Sequence, residues 1–157
     1  MIVLGLDPGP EITGWFVWDS ESRRGVVHGY DPNETVLSIL REVSEDERVV
    51  FACEQVVSYG MPVGASVFEM CVWMGRFWQV VDPRPFHMVS NSAVRAHLCR
   101  THKAKDANVK AALIEKFGPV GTKKKPGPFY GVSGHVWSAA GVAVTYADQQ
   151  AAKEGRA

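Results

Sequence analysis

The sequence predicts an α/β fold: a mixed five-stranded sheet with helices on both faces. Three observations carry that expectation. The chain opens on Met1-Ile2-Val3-Leu4-Gly5-Leu6-Asp7, a short run that is apolar at both alternating sets of positions, as a strand covered on both sides must be. Segments with strand-like spacing then alternate with segments whose apolar residues recur every three or four positions. A second buried strand is reached from the first through a helix, and a helical crossover normally leaves two strands parallel in one sheet.

Pro8 and Gly9 end the first strand and leave Asp7 at its last position. Asp-Pro-Gly by itself is equally a common turn with a solvated carboxylate. Thr13-Gly14-Trp15-Phe16-Val17-Trp18 reads as a second strand and Gly25-Val26-Val27-His28-Gly29-Tyr30 as a third, joined as a hairpin by the polar stretch from Ser20 to Arg24. From Thr35 to Ser44 a helix places Val36, Ile39, Leu40 and Val43 on one face, and the acidic turn Glu45-Asp46-Glu47 follows. Arg48-Val49-Val50-Phe51-Ala52-Cys53-Glu54 is the fourth strand, again ending in an acid. If it lies parallel to the first, both acids reach the same sheet edge. Neighbouring strands are about 4.8 Å apart, so Asp7 and Glu54 can converge on one cation or a cation pair.

After a loop from Val56 to Gly64, Ala65 to Val81 forms a helix that is apolar round most of its circumference, with Ser66, Glu69, Arg76 and Gln79 as a narrow polar stripe. Such a helix needs cover on two sides. Full burial inside the monomer is one solution; in a domain this small the expected one is a face on the sheet and a face on a symmetry mate. Phe86 to Ser90 is the last strand, followed by a helix near Ser92 to Cys99 and another from Lys105 to Phe117, stopped by Gly118-Pro119. Gly121 to Gly131 is a Gly/Pro/Lys loop. Ser133 or Gly134 starts a closing helix through about Asp148, with His135 in its first turn and Ser138 three residues on along the same face. The chain therefore reads as one domain over residues 1–148 with a flexible polar tail at 149–157.

With 157 residues and 46% apolar content, one core is expected. Neither end carries a signal-peptide pattern and no apolar run approaches the roughly 18 residues of a membrane span, so a soluble cytoplasmic protein without a membrane partner is expected. Cys53, Cys71 and Cys99 are an odd set without metal-type spacing, each in an apolar segment where a reduced thiol packs as a small hydrophobe. The net charge is zero, which alone argues against a polyanionic partner, but the charges are sorted. Arg95 to Lys125 holds nine Lys/Arg against Asp106 and Glu115. That excess can neutralise several phosphates, with Arg95, Lys103, Lys105, Lys123, Lys124 and Lys125 as candidate DNA contacts, or it can be a solvated surface.

The element order, with acids ending the first and fourth strands, describes a ribonuclease H-like sheet. Gly5-Leu6-Asp7-Pro8-Gly9 followed by Thr13-Gly14-Trp15, and then Ala52-Cys53-Glu54-Gln55-Val56, resembles the RuvC family of Holliday-junction resolvases. The closing stretch from Lys124 through Gly134-His135-Val136-Trp137-Ser138-Ala139 resembles phage-type members especially. The resemblance spans the chain to about Asp148, strong at these three stretches and weak between them.

It implies a homodimeric endodeoxyribonuclease, dependent on Mg²⁺ with Mn²⁺ substituting and two ions per site, that nicks symmetric strands of four-way or branched DNA. If the chain is phage-encoded, it would act in the host cytoplasm. The resemblance puts the family's first acid on Asp7, its second on Glu54 and its third position, an acid or a His, on His135. The fourth falls on Ser138, a departure from the Asp of cellular members. Asp7, Glu54 and His135 would be metal ligands, with His135 also able to act as the base, whereas Ser138 offers a weak neutral oxygen. Outside the resemblance, a lone helical His is usually a surface or capping residue. Cellular resolvases place a wedging aromatic three residues after the second acid, here Val57. Tyr59 is a candidate substitute that could stack on unpaired bases, or an ordinary loop aromatic.

Actin-like ATPases and sugar kinases also open on Asp-x-Gly followed by Thr-Gly, but they need two such domains and this chain supplies one. The rival that stays open is a junction-binding protein that kept the fold and the basic surface and lost turnover with the fourth acid.

Overall fold

The opening apolar run forms β1 (Ile2–Asp7) at the middle of the sheet, with Val3, Leu4 and Leu6 buried. The structure, a computed structural model, describes residues 1–58 and 60–155. Strand β2 (Ile12–Asp19) runs antiparallel to β1, from Ile2 opposite Asp19 to Asp7 opposite Gly14, and β3 (Arg24–Pro32) continues the hairpin to the sheet edge. Helix α1 (Asn33–Val43) crosses over, and β4 (Val49–Gln55) enters on the other side of β1, parallel and in register from Ile2–Val49 to Leu6–Cys53. Helix α2 (Ala65–Val81) leads to β5 (Phe86–Ser90), which completes the order β3-β2-β1-β4-β5. Helices α3 (Asn91–Cys99) and α4 (Asp106–Phe117), a short hairpin of β6 (Gly121–Thr122) and β7 (Lys125–Pro126), and α5 (Val136–Lys153) follow. This is the mixed five-stranded α/β sheet that the sequence predicts.

Alternation along the strands sorts the core into two layers. Leu4, Leu6, Trp15, Val17 and Phe51 meet Val36 and Leu40 of α1 and Phe77 and Val81 of α2. On the other face Val3, Phe16, Trp18 and Val89 pack with Phe129 and with α5, over which lie Val94 of α3 and Val109 and Leu113 of α4. Helix α5 approaches β1 most closely at Gly5. A Cβ there would stand 2.3 Å from the carbonyl oxygen of Ala139 and 2.8 Å from the Ala143 methyl, so any other residue would hold the helix off the strand.

Four local readings are corrected. The segment read as a plain loop from Gly121 to Gly131 contains the β6–β7 hairpin, which opens on Gly121 at a φ of +80° and turns at Lys123 and Lys124, with the Lys125 N–H donating to Thr122 Oγ1 at 3.3 Å. His135 is the N-cap of α5 and not a first-turn residue. The helix runs past Asp148 to Lys153, because Gln149-Gln150-Ala151-Ala152-Lys153 are good helix formers and no Gly or Pro intervenes before Gly155. Cys71 is exposed, unlike buried Cys53, because it falls on the side of α2 that no described residue covers. On that side Phe68, Val72 and Trp78 are also exposed.

Candidate active site

Parallel pairing of β1 and β4 brings Asp7 and Glu54 to one edge of the sheet. The turn that follows Asp7 is held from beneath. Buried Thr13 donates through Oγ1 to Asn33 Oδ1 at 2.6 Å, and Asn33 Nδ2 donates to the Gly9 carbonyl at 3.0 Å. The Asn33 N–H donates to the Glu11 carbonyl at 2.9 Å. Thr13 thus braces the loop that fixes Asp7. Its neighbour Gly14 leaves room for the N-cap of α5: a Cβ there would sit 3.1 Å from the carbonyl carbon and oxygen of His135.

The chain reaches that N-cap by following β3. The Gly25 N–H donates to the Pro128 carbonyl at 2.9 Å, and His28 Nε2 donates to the Tyr130 carbonyl at 3.1 Å. The His135 ring then lies on Tyr30, with centroids 5.5 Å apart and planes 15° from parallel. His135 Nδ1 comes within 3.2 Å of Asp7 Oδ2. On the far side of β4, Asn91, the first residue after β5, donates through Nδ2 to Glu54 Oε1 at 3.0 Å.

Asp7, Glu54, Asn91, Tyr30 and His135 share a cavity of about 600 Å³ whose apolar wall includes Ile12 and Met70. The Asp7 side chain is 15% exposed. Its carboxyl is pushed up to about 7, first by burial and then by the charge of Glu54; nearby His135 and its hydrogen bond pull the other way, and Asp106 adds to the upward push. A desolvated acid facing a second acid is a place where a cation is stabilising. Among the described residues no three His, Cys, Asp or Glu side chains stand close enough to surround a metal ion by themselves. The donor set suits an ion that takes one or two carboxylates and keeps several waters, which is the habit of Mg²⁺.

A second cavity of about 440 Å³ adjoins the first through Glu54, Asn91 and His135, and Asp106 and Ser138 line it. Ser138 therefore shares a cavity with Glu54 and His135, but is not among the residues lining the one that holds Asp7. The candidate DNA contacts are dispersed. Arg95 donates to Asp106 Oδ1 at 3.0 Å; Lys103 is exposed; the Lys105 N–H donates to Asn108 Oδ1 at 2.8 Å just before α4. Lys123, Lys124 and Lys125 are exposed on the β6–β7 hairpin, which stands beside Arg24 and Gly25, at the end of β3 away from Tyr30. Tyr59 lies outside the described residues.

Sequence reasoning missed Asn33, Tyr30, Asn91 and Asp106. Asn91 was within reach, since β5 pairs parallel with β4 up to Gln55–Ser90 and the next residue must fall at the same edge as Glu54. Tyr30 and Asp106 depend on how separate segments pack and carry no local signal.

No family model matches the chain, and no curated protein matches it in sequence. Its structure is similar to that of Thermus thermophilus RuvC, with a TM-score of 0.72 and 19% identity over 99% of this chain and 98% of that one. A structure of T. thermophilus RuvC in complex with Holliday junction substrate matches with a TM-score of 0.72 and 18% identity, over 99% of this chain and 97% of that one. At these identities the likeness is one of fold, and it extends over the full sheet and its helices.

Proposed function

We propose that this chain is a metal-dependent endonuclease that nicks branched DNA, with the Holliday junction as its substrate, and that it belongs with the phage-type resolvases its closing stretch resembles. One observation carries the reading: two carboxylates from parallel strands and a histidine from a helix N-cap meet in one cleft, and Asp7 is both buried and pushed up to about 7. The fold shared with T. thermophilus RuvC, itself described in complex with a Holliday junction substrate, supports the choice of DNA.

In this mechanism Asp7 and Glu54, with His135, would hold Mg²⁺. When bound, Mg²⁺ supplies positive charge for the phosphate and acidifies the attacking water. With the His135 Nδ1–H donating to Asp7 Oδ2, the lone pair resides on Nε2, where it can take a proton from water or serve a metal. Tyr30 stacks against one face of the imidazole, whose side chain is otherwise 68% exposed, and Asn91 fixes one oxygen of Glu54. Arg95, Lys103, Lys105 and the Lys123–Lys125 hairpin would contact DNA phosphates. The uncovered face of α2, with Phe68, Val72 and Trp78, would meet its counterpart in a second copy, pairing two sites for two symmetric strands.

The rival is a junction binder without turnover, favoured by Ser138 at the fourth position and by the absence, among the described residues, of a self-sufficient metal cage. A labelled four-way junction incubated with the protein and Mg²⁺ or Mn²⁺ separates the two. The proposal expects paired nicks that need the metal; a stable complex with no cleavage in either ion supports the rival.

A further inference from the structure

The N-termini of α3, α4 and α5 converge on the second cavity and contribute Asn91, Asp106 and Ser138 to it, with Lys110 a turn further along α4. The Ser138 hydroxyl is neutral. The carboxylate on this side comes from Asp106, the first residue of α4, whose side chain is 76% exposed. Among the described residues only its Oδ1 is engaged, by Arg95 at 3.0 Å. Asp106 lines this cavity together with Glu54 and His135, two of the proposed metal ligands. Asn91 Oδ1, on the same lining, is buried with no hydrogen-bond partner among the described residues, although its Nδ2 is committed to Glu54. A buried acceptor of that kind needs a donor. Lys110, the cation on this lining, stands with its Nζ 5.3 Å from the Trp137 ring centroid.

We propose that Asp106 supplies the carboxylate that the Ser138 position lacks, so that a hydrated divalent cation between Glu54 and His135 is held by acids from β1, β4 and α4. This deepens the nuclease reading and rests on it. Mg²⁺ retains much of its water shell, so an acid across a small cavity can act through a bound water, and Asn91 Oδ1 can accept a hydrogen bond from the same shell. Arg95 orients the carboxylate and tempers its charge in the metal-free protein.

The test is titration of the full chain with MgCl₂ or MnCl₂ by calorimetry, without DNA. Asp106→Asn should weaken binding on the order of tenfold, as loss of a supporting acid does. Ser138→Asp in the same chain should restore it by returning a carboxylate to the cavity. Arg95→Gln should leave the affinity equal or tighter, because it frees Asp106. If Arg95→Gln reproduces the loss seen in Asp106→Asn, the pair is only a structural bridge and the proposal fails. Wild-type affinity in Asp106→Asn, alongside lost affinity in Asp7→Asn, overturns the role of Asp106 and leaves the site reading intact. Wild-type affinity in both overturns the metal site itself, and Asp106 with it.

Discussion

Helices α5 and α2 are both apolar round most of their surface, and the fold treats them in opposite ways. In α5 the residues from Val136 to Ala147 are buried apart from Ser138, because the sheet covers one side and α3 and α4 cover the other. In α2 only Met74, Phe77 and Val81 are buried; the sheet and α1 cover one side, and Phe68, Val72 and Trp78 face outward at 64%, 63% and 51% exposure. The described residues supply a second layer over α5 and none over the outer side of α2. Helix α5 thereby sets His135 against Asp7, whereas α2 leaves Phe68, Val72 and Trp78 exposed.

The contrast can be broken at its site end first, where the effect is largest. His135→Ala at the start of α5 should lower junction nicking by about 10²- to 10⁴-fold in single-turnover assays. His135→Asp should retain much of the rate, since a carboxylate is a harder ligand for Mg²⁺.

The packing contrast is read most cleanly by two glycines. Gly5→Ala drives a methyl into the Ala139 carbonyl and should cost about 3 kcal/mol in urea unfolding. Gly75→Ala in α2, where a Cβ meets nothing within 4 Å, should instead be neutral or stabilise by up to about 1 kcal/mol. Equal costs at the two positions would mean that α5 is no more tightly seated than α2.

A smaller effect comes from Asp7. Its folded-state value is raised, to about 7, above the ordinary 3.8. Its contribution to stability is therefore fully present below about pH 4 and is lost as pH rises through about 7. Metal-free Asp7→Asn escapes that loss. It should be more stable than wild type at pH 8, with the difference shrinking toward pH 4, as urea midpoints at the two pH values would reveal.

The smallest effect on the fold of each chain should come from the exposed side of α2. Phe68→Ser with Trp78→Ser should leave the circular dichroism spectrum unchanged and convert a dimer to a monomer by light scattering at micromolar concentration. A wild-type monomer under the same conditions would remove α2 as the dimer surface.

How far these features were legible in the sequence follows from their range. The five strands and the ends of α2 could be read because periodicity and Pro/Gly punctuation are local. The meeting of Asp7 with Glu54 could be read as well, because a helical crossover dictates parallel strands and parallel strands share an edge. His135 was legible only through resemblance, and its placement at the N-cap required the packing of α5 against Gly5 and Gly14. Tyr30 and Asp106 arrive from a hairpin and a helix that neighbour the site only after folding, so no window of sequence contains them together with Asp7. The apolar circumference of α2 was visible, but periodicity cannot say whether a helix is covered by its own chain.

The central claim is that Asp7 and Glu54, at the C-terminal ends of β1 and β4, perform metal-dependent cleavage and are not needed for holding DNA. It is tested most directly by measuring binding and nicking of one labelled four-way junction by wild type, Asp7→Asn and Glu54→Gln in Mg²⁺. The account predicts that both variants bind the junction within a few-fold of wild type and that neither nicks it. Retained nicking by either variant would contradict it.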